Sequence, residues 1–120
     1  MAQVSVQPTP LRVMIVDDEY MIVKGLERLI RWEELGLQLA GTAGNGQEAL
    51  DLMSRQAVDI VITDVNMPGM NGLEMIAQMK ESLPKLAFII LSGYQEFEYV
   101  KRGMELGAKN YLLKPIDKVE

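Results

Sequence analysis

Short apolar runs, each stopping at a polar or charged residue and each followed by a helix-like segment, constrain this chain more than any other feature. The runs are Leu11–Val16 (LRVMIV), Leu37–Ala43, 59–63 (DIVIT), 87–91 (AFIIL) and 109–113. Their length and β-branched content read as buried strands, with Leu37–Ala43 the least hydrophobic and so nearest an edge. Between them, 19–31 carries Ile22, Leu26, Leu29 and Ile30 at helical spacing. Asn45 is placed to cap a helix through about Gln56, with Ala49, Leu50 and Met53 facing inward. Gly72–Ser82 is a helix that Pro84 stops, and 95–106 is a helix with Gly107 as its C-terminal cap. Residues 66–71 (NMPGMN) have turn chemistry. Strands that alternate with helices and are apolar on both faces imply a parallel sheet covered on both sides.

The chain's 120 residues fit one domain, and 48% apolar content is enough for a core. A net charge of −5 argues against direct binding to nucleic acid or anionic membranes. With no Cys and no His, disulfides, thiolate sites and the usual zinc ligands are excluded, so any metal is a hard, oxygen-seeking one. The apolar runs are far shorter than the roughly 20 residues a membrane helix needs. Residues 1–10 lack the apolar centre of a signal peptide and read as a flexible leader, and 11–120 as the domain. A cytoplasmic location is the default expectation. Too little sequence follows Pro115 for the helix expected after the fifth strand, so the chain reads as truncated there.

Ligands of such sheets bind outside the carboxyl ends of the strands. The first run ends in Asp17-Asp18, the third in Asp64 and the fourth in Ser92, while the fifth runs into Lys114. Paired strands lie about 4.8 Å apart, so Asp17, Asp18 and Asp64 crowd together if the first and third pair. Crowded carboxylates disfavour shared ionisation. Mg²⁺ is the fitting remedy, because it takes one or two carboxylates and leaves room for water or phosphate. A carboxylate beside it can attack phosphorus, and Lys114 can offset charge on the transferred group.

In this order, Asp17-Asp18, Asp64, Asn66-Met67-Pro68, Ser92 and Lys114-Pro115 resemble the receiver domain of bacterial two-component response regulators, over about 11–116. The resemblance implies a flavodoxin-like, doubly wound, five-stranded parallel sheet of order 2-1-3-4-5. It implies that Asp64 is the phosphoacceptor, with Mg²⁺ held by Asp18, Asp64 and the Asn66 carbonyl, and by Asp17 largely through water. Ser92 would bind the phosphoryl oxygen, Tyr111 would change rotamer with it, and Lys114 would pair with the phosphoryl group. The partner implied is a sensor histidine kinase, and a homodimer could form through the fourth helix and fifth strand. The domain would be a switch that catalyses only its own phosphorylation and dephosphorylation, not a turnover enzyme. Residues 30–36 (IRWEELG) and 92–116 also resemble receivers joined to AraC-type DNA-binding domains, implying control of transcription through a domain absent from this chain.

Plainer readings exist for each residue. Acids such as Asp17-Asp18 favour a helix start, Asp64 could be a turn residue, Ser92 an ordinary strand end, and Tyr111 a core aromatic. Trp32 and the nine Met residues suit packing or surface, and Lys101, Arg102 and Lys109 a solvated face. Gly44-Asn45-Gly46-Gln47-Glu48-Ala49 matches the dinucleotide fingerprint, with Asp64 about twenty residues on. Against a dinucleotide-binding fragment of an oxidoreductase stand the earlier strand ending in two acids and the lack of a substrate domain. An aspartyl-phosphate phosphatase would want its nucleophile after the first strand and a separate general acid.

Overall fold

A computed structural model describes residues 9–92, 97–105 and 107–113. The elements run β1 (Leu11–Val16), α1 (Tyr20–Leu29), β2 (Leu37–Ala43), α2 (Gly46–Arg55), β3 (Ile60–Asp64), α3 (Gly72–Ser82), β4 (Ala87–Ser92), α4 (Phe97–Glu105) and β5 (Asn110–Leu113). The strands form one five-stranded sheet in the order β2-β1-β3-β4-β5, and every neighbouring pair is parallel. This is the expected flavodoxin-like order, with β2 at one edge. The switch point lies between β1 and β3, where the crossovers diverge and a crevice opens at the carboxyl ends.

Period-two alternation divides each strand between two cores. Val13 and Ile15 of β1, with Ile62 and Leu91, pack beneath Val23 and Leu26 of α1. Met14 and Val16 point the other way, into the larger cluster with Val61, Phe88, Ile90, Ala49 of α2 and Leu73, Met75, Ile76 and Met79 of α3. Burying one such large side chain fully contributes about 1.5–3 kcal/mol, so this inner cluster is what fixes the layers. Burial is uneven on the α1 side. Ile60 and Ile89 are only half-buried there, whereas Val61, Phe88 and Ile90 on the opposite face are fully enclosed.

Three local features set how closely the layers approach. The β1–β2 register slips by one residue, from Val13↔Leu39 to Met14↔Gly41, leaving Ala40 as a bulge. Gly41 then lies against α2, where a Cβ would meet Leu52 Cδ2 at 2.7 Å. Gly103 plays the same part in α4, where a Cβ would fall 2.9 Å from Ile90 Cγ1. α4 ends as the sequence predicts, with Gly107 at φ +104°. The Ala108 amide donates to the Gly103 carbonyl and the Gly107 amide to the Met104 carbonyl, both at 3.0 Å, a Schellman closure.

The first helix is shorter than its apolar spacing predicts. It stops at Leu29, because Ile30 is extended at ψ 132°. Leu29, the last helical residue, is 47% exposed. The chain returns through Trp32, whose indole N–H donates to the Glu27 carbonyl at 3.0 Å. Trp32 packs on the α1-side core, as expected of a packing residue. Among the described residues no helix is long and apolar enough to cross a membrane. Most of the expected leader (1–8), Lys114 and Pro115 lie outside the described residues.

Candidate functional site

β1 and β3 are adjacent, and their last paired residues are Val16 and Thr63. The next residue of each chain is an aspartate, Asp17 and Asp64, each only 2% exposed. Asp18 follows on the exposed side. One carboxylate oxygen from each of Asp17, Asp18 and Asp64 lies within 4.8 Å of the others. The strand ladder therefore produces the crowding that the sequence predicts. A cleft of about 300 Å³ between α1 and the end of β2 is lined in part by Asp17 and Asp18.

Asp17 is held from two sides. Its amide donates to the Ala43 carbonyl at 3.0 Å, tying it to the end of β2. Its Oδ1 accepts the Glu19 amide at 2.8 Å, an Asx-turn that bends the chain from β1 into α1. The plainer reading of Asp17-Asp18 as acids starting a helix does not hold, because α1 begins at Tyr20 with Glu19 at its N-cap and no acid in its first turn. Asp17 shapes the corner before the helix instead. The donor set is entirely oxygen and anionic, with Asp18 on its exposed side, which suits a hard divalent cation. Two ionised carboxylates at this spacing repel by roughly 3–4 kcal/mol at an effective dielectric of about 20, so a cation between them is favoured.

After Asp64 the chain makes a pegged loop before α3. Val65 and Met67 are buried, whereas Asn66, Pro68 and Gly69 are exposed. Gly69 has φ +79°, the backbone needed at the third position of a turn whose second residue is Pro68. Asn71 closes the loop as a full capping box. Its Oδ1 accepts the Glu74 amide at 2.9 Å, and Glu74 Oε1 accepts the Asn71 amide at 3.0 Å. Turn chemistry over 66–71 is as expected, but the box goes beyond it. The Asn-x-x-Glu spacing of Asn71 and Glu74 was the signal that could have found the box.

The remaining expected site residues divide by where they fall. Asp64 stands opposite Leu91, so Ser92 ends β4 one residue further along the adjacent strand. Tyr111 lies in β5 across from Ile90, and Leu113 across from Ser92. Lys114 is outside the described residues. The Gly44–Ala49 motif follows the edge strand β2, away from the switch point. Its turn is occupied by its own side chains. Asn45 Oδ1 accepts the Glu48 amide at 2.9 Å, and Glu48 Oε1 accepts the Gly44 amide at 2.8 Å. A helix cap, not a pyrophosphate cradle, accounts for that motif.

Comparison with known proteins gives the same answer as the geometry. Residues 13–120 match the response regulator receiver domain family. An uncharacterized transcriptional regulatory protein, YesN of Bacillus subtilis, is 48% identical over 104 residues, which is 87% of this chain and 28% of that protein. The REC domain of AraT, a response regulator from Geobacillus stearothermophilus, superposes with a TM-score of 0.84 at 38% identity, covering 89% of this chain and 83% of that one. A two-component transcriptional regulator AraC from Clostridium phytofermentans superposes with a TM-score of 0.76 at 34% identity, covering 89% and 82%. The chain spans well under half the length of the curated relatives it matches, 28% of YesN and 41% of the staphylococcal regulator HptR. With an acidic cluster at the β1/β3 switch point, a parallel sheet of matching order and a family match over nearly its whole length, the chain belongs to the response regulator receiver domains of two-component systems.

Proposed function

We propose that Asp64 is the phosphoacceptor of this receiver domain and that Mg²⁺ is held by Asp17, Asp18, Asp64 and the backbone carbonyl of Asn66. The observation that carries the reading is the meeting of the three carboxylates within 4.8 Å at the ends of adjacent parallel strands. The donor is a phosphohistidine on a sensor histidine kinase. An Asp64 oxygen attacks phosphorus, an acyl phosphate forms, and the P–N bond breaks with its electron pair leaving on the imidazole nitrogen. Mg²⁺, when bound, offsets the charge of the cluster and of the group being transferred. Lys114 pairs with phosphoryl oxygens, and water later hydrolyses the acyl phosphate to restore Asp64. The domain catalyses these steps on itself and is a switch, not a turnover enzyme.

In this reading the Ser92 hydroxyl donates to a phosphoryl oxygen and Tyr111 turns inward with it, so that charge added at Asp64 biases the α4–β5 surface. That surface is the homodimer face. Output is transcriptional, through an AraC-type DNA-binding domain outside this chain, in the cytoplasm. Residues 1–10 act as a leader to a domain formed by 11–120. The test is intact-mass spectrometry after incubation with acetyl phosphate and Mg²⁺. Wild type gains one phosphoryl group and Asp64→Asn gains none. Equal labelling of the two proteins refutes the assignment.

A further inference from the structure

The short loop between Asp64 and α3 is pinned by contacts that only glycine permits. The Gly72 amide donates to the Val65 carbonyl at 2.8 Å, closing the neck of the loop. A Cβ on Gly72 would lie 2.2 Å from the carbonyl oxygen of Asp64, 3.0 Å from Val65 Cα and 3.1 Å from the Asp64 carbonyl carbon. All three are backbone atoms, so no side-chain rotation can relieve the overlap. Gly72 is not among the positive-φ glycines. Its requirement is therefore space beside Asp64, not backbone freedom.

A second anchor lies further along the same loop. Met70 rests on Gly46 at the start of α2, where a Cβ would meet Met70 Sδ at 2.9 Å and its Cβ at 3.1 Å. Here the neighbour is a flexible side chain, backed by the Gln78 amide group at 3.8 Å from the sulfur. The two anchors differ in stiffness: Gly72 meets backbone and Gly46 meets a movable thioether. Between them hang Val65 and Met67, buried in the core, and the exposed Asn66.

We propose that Gly72 is a positioning residue for phosphoryl transfer: its bare Cα lets α3 seat directly on the Asp64 carbonyl, which fixes the Asp64–Asn66 segment against Asp17 and Asp18. A methyl group at Gly72 pushes that segment away from β1 and opens the acidic cluster. Gly46 makes a weaker contribution to the same loop through Met70. The inference rests on the proposed metal and phosphoacceptor site. Wild type tests that reading, and the ratio of variant to wild type tests this one.

The experiment compares wild type, Gly72→Ala, Gly46→Ala and Leu86→Ala. Leu86 is buried just before β4, at the opposite end of the strands, and serves as a control for lost stability alone. Four quantities are measured: the Mg²⁺ concentration for half-saturation, from amide shifts of residues 17, 18 and 64–66; exchange of the residue-72 amide without metal; the rate of labelling by acetyl phosphate; and the thermal midpoint. Gly72→Ala raises the Mg²⁺ half-saturation about tenfold or more, the scale of lost ligand support, and its residue-72 amide exchanges faster. It also slows labelling by acetyl phosphate at saturating Mg²⁺ by on the order of tenfold to a hundredfold, as displaced reactants do. Gly46→Ala shows a smaller rise, and Leu86→Ala none despite its lower melting temperature. If Gly72→Ala is too unstable to fold, the Gly46→Ala rise decides. Unchanged Mg²⁺ half-saturation in the glycine variants that fold, or an equal rise in Leu86→Ala, overturns the proposal.

Discussion

Replacing Asp64 by Asn should make the metal-free protein more stable while abolishing its labelling. Asp17 and Asp64 are both 2% exposed and their oxygens come within 4.8 Å. At that spacing and an effective dielectric of about 20, their repulsion is roughly 3.5 kcal/mol. Asn has nearly the same shape and removes that charge. Favourable interactions of the Asp64 carboxylate with other groups are lost too, so a net gain of about 1–2 kcal/mol is expected. For a 120-residue domain each kcal/mol moves the midpoint by about 3–6 °C, which gives a rise of roughly 3–12 °C. The assay is thermal and urea unfolding with EDTA and again with excess Mg²⁺. Mg²⁺ at a hundred times its dissociation constant should stabilise wild type by about 2.7 kcal/mol, and Asp64→Asn by less, since one anionic ligand is gone. The gap between the proteins therefore narrows in Mg²⁺. If Asp64→Asn is no more stable than wild type in EDTA, or gains equally from Mg²⁺, the repulsion argument is wrong.

Phe88→Ala, which empties the centre of the inner core, should cost about 3–5 kcal/mol in urea unfolding. Asn71→Ala removes the side chain that accepts the Glu74 amide and should cost about 1 kcal/mol, read in the same experiment; no loss would mean the capping box carries no net stability. Ser92→Ala should still accept a phosphoryl group but lose a charge-assisted hydrogen bond of roughly 1.5–3 kcal/mol. Amide shifts across α4 on phosphorylation should then shrink, and shifts identical to wild type would remove Ser92 from the switch.

What was legible in the sequence was whatever is written locally. Strand ends announced themselves because an apolar run stopping at Asp17 or Asp64 changes polarity within one residue. The parallel order followed from the alternation of elements, and the placement of Leu37–Ala43 at an edge from its weaker hydrophobicity. Asn45 and Gly107 were readable as caps because capping depends on a few consecutive residues. The end of α1 is less legible, because helical spacing does not say where a helix stops: the apolar pattern runs to Ile30, which is already extended. The bulge at Ala40 and the roles of Gly41, Gly46, Gly72 and Gly103 were invisible for another reason. Each depends on an atom brought close by tertiary packing, and a glycine in sequence does not name the neighbour for which it makes room.

The two adjacent acids of β1's end are under unequal restraint. Asp17 accepts the Glu19 amide while its own amide holds the end of β2, so it shapes the strand-to-helix corner whether or not phosphate ever arrives. Asp18 is exposed, and its place in the cluster is the use described for it. If a descendant of this chain ceased to signal, selection on Asp18 would relax first, and drift there would be cheap. Asp17 would persist for architectural reasons. A lineage retaining the first acid and varying the second would thus bear the mark of a domain kept for its shape after its chemistry had been abandoned.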